Sequence, residues 1–233
     1  MVLDHVLVLP RGLDPAAPPC TSTREAADTF SARLAEAGFV EGSSRAHPGQ
    51  GTVNRRVFLD NLMIECLLVD DECALDEVRG AALALGARFR DPSASGVGTA
   101  FRPEPGSPER LPAASFPSSA YRPAYLPASL HIDVASEFDP RVPLLFHLPF
   151  GKHGDAVPDD GEPRSHPNGA RRAIGVAFER PTALPHGARA VLESTGIRCS
   201  EGAAQECLHV RLAGLERGVE LDLRPLFPLR LHA

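Results

Sequence analysis

The sequence predicts an α+β protein, and three features lead there. Residues 1–70 read strand, helix, strand, strand, strand. A similar order returns after Arg171, which marks an internal repeat. Proline and glycine, 23 and 20 of 233 residues, limit helix and imply long loops between these elements.

The first strand is Leu3 to Pro10, a branched and aliphatic run ended by Pro-Arg-Gly. Ser22 or Thr23 can cap a helix over Arg24–Ala37, whose Ala27, Phe30, Leu34 and Ala37 share a face; Gly38 stops it. Strands follow at Val53–Leu59 and Leu62–Val69, joined by an Asp60-Asn61 turn. A second helix is predicted over Ala74–Gly86, and a strand over Val97–Arg102. The proline-rich stretch 103–128 reads as a loop excursion with one short strand at Ala120–Tyr125. Strands are then predicted at Ser129–Phe138 and Pro143–Phe150. In the C-terminal repeat, strands at Ala173–Phe178, Ile197–Ser200, Cys207–Ala213 and Gly218–Arg224 accompany a helix over Thr182–Thr195. The division expected is 1–86, 87–168 and 169–233.

Bulk properties exclude several functions. A net charge of −6 without a Lys/Arg cluster argues against nucleic acid. No apolar run has the length to span a bilayer, and no basic leader with a cleavage site opens the chain, so a cytoplasmic protein is expected. Five cysteines, an odd number with no CxxC, read as packing residues or free thiols.

Three polar residues interrupt apolar strands: His5, Glu65 and His147. Alternation puts His5 on the side of Leu3, Leu7 and Leu9. A buried imidazole or carboxylate needs a partner. His5 is either a core histidine bonded to backbone or a ligand facing a cavity. Glu65 is either paired with Arg55 or Arg56 or is a ligand. His131 shares a face with Asp133 and is either a base or part of a solvated face. His47 and His166 sit in His-Pro loops. His47 reads as incidental, whereas His166 with Asn168 could offer donors to a ligand, and Arg55 could pair with an anionic substrate.

The motifs "LDHVLVLP", "HPGQGTVNRRVFLDNLMIECLLVDD" and "HPNGA" resemble the glyoxalase-like domain proteins of the vicinal oxygen chelate superfamily. The resemblance covers most of residues 1–180. It implies paired βαβββ units forming curled mixed sheets around a cavity, with a third similar C-terminal unit. Carried onto this chain, its ligand positions give His5 and Glu65 in the first unit and His147 in the second. The second unit's first strand holds Gly96, Gly98 and Thr99 and no ligand, a departure from the pattern. The implied cofactor is a divalent metal, Fe, Mn, Zn or Ni.

Two functions follow. One is a metal-dependent glyoxalase- or dioxygenase-type enzyme, a lyase or an oxygenase, acting on a small oxygenated substrate. The other is a metal-free small-molecule binding or resistance protein on the same fold. Neither engages nucleic acid or membrane, and the C-terminal unit offers a surface for a homodimer.

Overall fold

The computed structural model describes residues 1–11, 19–76, 83–106, 113–136, 139–151, 160–216 and 218–233. Residues 77–82 of the predicted second helix and 107–112 of the proline-rich stretch lie outside the described residues. The architecture is α+β, with two mixed sheets and few helices.

Eight strands build the first sheet: β1 (Val2–Val8), β2 (Ala46–His47), β3 (Thr52–Phe58), β4 (Met63–Val69), β5 (Val97–Arg102), β6 (Ser118–Tyr121), β7 (Ile132–Ala135) and β8 (Leu144–His147). Their order is β2-β3-β4-β1-β5-β8-β7-β6. β1 and β5 lie antiparallel at the centre, and each has a parallel neighbour outside it, β4 and β8. The expected parts 1–86 and 87–168 therefore share one continuous sheet. That sheet curls into a half-barrel. The curl is visible in one contact: Tyr121 on β6, one end of the order, donates to Gln50 Oε1 beside β2, the other end, at 3.1 Å.

Helix α1 (Pro19–Glu36) covers the convex side. It begins earlier than its sequence suggests, because Pro19 suits a first helical turn. Thr23 does not cap it; its hydroxyl bonds the main chain of Val69 at the end of β4. Gly38, at φ +76°, closes the helix, and Phe39 N–H donates back to Leu34 O. The predicted helix over 74–86 is instead two pieces among the described residues, α2 (Glu72–Asp76) and α3 (Leu85–Arg90). Asp71 Oδ1 caps the first by accepting from Cys73 N and Ala74 N, and a left-handed Ala84 precedes the second.

The second sheet holds β9 (Arg172–Arg180), β10 (Ile197–Glu201), β11 (Cys207–Ala213), β12 (Glu220–Asp222) and β13 (Leu229–His232), in order β10-β9-β11-β13-β12. Helix α4 (His186–Ser194) links β9 to its immediate parallel neighbour β10. In the first sheet, by contrast, α1 carries the chain from the centre to the far edge. The C-terminal passage is therefore no topological copy of the first, although its strand–helix–strand rhythm is similar. The sequence also conceals β13, four residues just after Pro228 that insert between β11 and β12.

Apolar side chains fall into two clusters. One fills the space between the convex face, α1, α4 and the second sheet; there Phe30 of α1 meets Phe227 with ring centroids 5.1 Å apart. The other, with Leu7, Leu67, Ala100, Leu144 and Phe146, lines the concave face. Polar ties join the layers as well. Arg88, 3% exposed, spends its guanidinium on the carbonyls of Leu83, Ser95, Pro140 and Val142, and burial pushes its pKa down to about 10. Glu206, just before β11, accepts from Ser95 Oγ and Gly96 N. Phe30 is fully buried where the helix meets the second sheet, so Phe30→Ala should cost about 3–5 kcal/mol in urea unfolding; a loss under about 1 kcal/mol would mean the layers do not share a core.

Candidate active-site cavity

The concave face encloses a cavity of about 300 Å³, the small end of the metabolite-pocket range. Part of its wall is apolar: Leu7, Leu67, Leu85, Leu144, Phe146 and Leu148. Further apolar side chains such as Phe58, Met63 and Ile132 join these, and the polar part of the wall comes from β1 to β4, from Arg102 of β5 and Tyr121 of β6, and from the mouth of the cup.

His5 and Glu65 meet in this cavity. Parallel β1 and β4 put Leu7 opposite Glu65 and His5 opposite Met63, and the two polar side chains face inward. Glu65 Oε2 lies 3.6 Å from His5 Nε2, and each side chain is 8% exposed. The other ring nitrogen, Nδ1, donates to Asp4 Oδ2 at 2.8 Å. Adjacent strand residues ordinarily point to opposite faces. Here the pairing slips: Leu3 opposes Phe101 and His5 opposes Ala100, so Asp4 is an extra residue on β1. This bulge brings Asp4 to the side of His5. It also turns Leu3 away to pack on the convex-side core, which corrects the shared face of Leu3 and His5 that simple alternation predicts.

The polar line continues at both ends. Arg102 Nε donates to Asp4 Oδ1. Asn54 Nδ2 donates to Glu65 Oε1 at 2.5 Å, while Asn54 Oδ1 accepts from Arg45 N at 2.7 Å. Burial pushes the Asp4 carboxyl up, but its hydrogen bonds and the charges of His5 and Arg102 together outweigh burial and hold it below its ordinary value. His47 also lines the cavity, with Nδ1 3.0 Å from Thr52 Oγ1 and its ring 5.2 Å from that of Tyr125. Its pKa is pushed down by burial, against the opposing pull of Glu65 and with help from Arg45 and Arg56. Burial, with Tyr121 and Glu65 nearby, pushes the Tyr125 phenol well above its ordinary value, so it serves as a donor, here to Gln50 Oε1 at 3.1 Å.

The third expected ligand is elsewhere. His147 opposes Phe101 on β5, and Phe101 and Leu145 belong to the convex-side core. Its ring therefore lies behind the sheet, and its neighbour Phe146 faces His5, with ring centroids 5.3 Å apart. The cavity-facing positions of β5 and β8 hold Gly98, Ala100, Leu144 and Phe146, with Arg102 at the end of β5, and no metal ligand. A Cβ on Gly98 would come within 2.8 Å of the Leu7 side chain. The expected set of His5, Glu65 and His147 is thus corrected to the pair His5 and Glu65. Among the described residues no group of three or more His, Cys, Asp or Glu is placed to hold a metal ion. Among the described residues these two donors fall one short of the three-ligand divalent site that the resemblance implies.

No protein-family model and no curated protein matches the chain. Among solved structures, the crystal structure of a hypothetical protein from Staphylococcus aureus aligns over 99% of this chain and 98% of that chain, at 9% identity and a TM-score of 0.47. Nothing about this chain's chemistry follows from a likeness that distant.

The other expected site residues do not line the cavity. His131 Nε2 lies 3.2 Å from Asp133 Oδ1, and Asp133 Oδ2 accepts from His147 Nδ1 at 3.1 Å, a cluster behind β7 and β8. His166 is structural: Nδ1 accepts from Val40 N and Nε2 donates to Phe58 O. Asn168 joins Ala37 O to Ala170 N. Arg55, on the convex side of β3 beside Cys66, faces Glu41 at 3.8 Å. Sequence reading missed Asp4, Asn54, Gln50 and Arg45. Of these, Asn54 carried a signal, an amide set in a strand beside Val53. His47 reads as incidental in sequence because its Pro-Gly context explains it without a cavity.

Burial lowers the folded-state pKa of His47, His147, His166 and His209. An unfolded chain therefore takes up protons that the native state refuses, and stability falls as pH drops below about 6.5, the ordinary histidine value. His166→Gln should flatten that decline in melting temperature; an unchanged slope would show that His166 does not contribute to it.

Proposed function

We propose that this chain is a small-molecule enzyme of the vicinal oxygen chelate type, whose cup moves a proton through His5 and Glu65. The mirror-like strand order, with β1 and β5 at the centre and β4 and β8 parallel outside them, supports a reading as paired units around one cavity. The proton-transfer reading rests on one observation: His5 Nε2 faces Glu65 across 3.6 Å inside a cavity with both apolar and polar walls, while Asp4 holds Nδ1.

Asp4 accepts the Nδ1 proton and so selects the tautomer whose Nε2 lone pair points into the cavity. At 3.6 Å the two groups are too far apart for a good hydrogen bond with each other. One proton-bearing atom of a ligand can reach both. Asn54 keeps one Glu65 oxygen occupied and leaves the other toward the ligand. The chemistry that suits this pair is proton abstraction beside a carbonyl: the group that takes the proton exchanges it with solvent and returns one to the same carbon, while the other stays within reach as a hydrogen-bond acceptor. No step is assigned to a metal, because among the described residues only two ligating groups, His5 and Glu65, meet there. The same cavity without turnover would be a binding protein.

Solvent-deuterium exchange separates the two. With a panel of small ketones and 2-oxo acids in D₂O, the protein should catalyse exchange of the proton beside the carbonyl. Glu65→Gln and His5→Gln should each lower the rate about a hundredfold or more, with circular dichroism unchanged. Binding without exchange would leave a binding protein. A stoichiometric first-row metal retained on purification and lost in His147→Ala would restore the metal reading.

A further inference from the structure

Resting on the cup as the ligand site, we propose that its ligand is a small monocarboxylate with an apolar body, its carboxylate held at the rim by Arg45. Among the described residues four arginines reach the cavity wall. Three have acidic partners: Arg102 bonds Asp4, Arg164 bonds Asp160, and Arg56 lies 3.9 Å from Glu162. Among the described residues Arg45 faces no carboxylate. Its guanidinium instead lies 5.5 Å from the centroid of the Tyr125 ring. A guanidinium over an aromatic ring is held in place while its N–H groups stay free for a planar, two-oxygen acceptor.

The backbone supports the same placement. Asn54 accepts from Arg45 N and donates to Glu65, so one side chain sets the rim cation relative to the inner carboxylate. A ligand anchored at Arg45 would present the adjoining part of its chain to His5 and Glu65. Its far end would meet Leu67, Leu144, Phe146 and Leu148. One uncommitted cation among the described residues suits one negative charge. A dianion would meet Asp4, Glu65 and Asp160 on the same wall, and an amine would meet Arg45 itself.

Calorimetric titration with octanoate, 1-octanol and octylamine tests this. Octanoate should bind about tenfold tighter than octanol, as one charge-assisted contact allows, with octylamine weakest. Arg45→Gln should erase the octanoate advantage and leave octanol unchanged, and Leu67→Trp should block both probes. Octanol or octylamine binding as well as octanoate, or an octanoate preference that survives Arg45→Gln, overturns the proposal. Octanol binding that Leu67→Trp blocks, without any octanoate preference, would remove the carboxylate and keep the cup. Failure of all three probes to bind would overturn both.

Discussion

A strand shows each side chain to one side of its sheet only, and here that rule decides which polar residues can act together. β1 runs through the middle of the eight-stranded sheet, between parallel β4 and antiparallel β5. Its register delivers His5 to the concave face, and the register of β4 delivers Glu65 beside it. The register of β8 delivers Phe146 to that face and His147 to the other. A shift of one residue on β8 would exchange them.

The bulge at Asp4 refines this. One additional residue on β1 places a carboxylate next to the imidazole that follows it, an arrangement regular alternation forbids. The molecule contains a second histidine–aspartate pair, His147 with Asp133, of similar hydrogen-bond length. That pair is sealed in the core, with His147 fully buried and its Nε2 without a hydrogen-bond partner among the described residues. The first pair opens on a cavity. Equivalent chemistry thus has different consequences on the two faces of one sheet: one pair can reach a ligand, and the other contributes to packing.

Much of the strand and helix order was legible, because long apolar runs such as Leu3–Pro10 and Leu62–Val69 have a single reading. Burial of His5, Glu65 and His147 was legible too, since each interrupts such a run, and all three are buried. The side each one faces was not, because that depends on pairing between strands distant in sequence. Arg55 and Arg56 illustrate this. Adjacent and chemically alike, they part on β3, and Arg56 alone lines the cavity. His166 was attractive because Asn168 and Gly169 follow it, yet both its ring nitrogens serve the chain that leads from α1 to β3. The similarity of the C-terminal segment to the first strand–helix passage was one of rhythm, and rhythm does not specify which strand becomes a neighbour.

The separation of the two histidine sites is the claim on which this account stands. It is tested most directly by long-range ¹H–¹⁵N NMR of the histidine rings during titration with zinc(II), a diamagnetic ion that displaces chiefly the nitrogens of the rings it binds. The account predicts that any shifts at His5 and His47 leave His147 and His131 in place. Saturable, simultaneous displacement of His5 and His147 at one equivalent of metal would contradict it, because it would put both rings on the same side of the sheet.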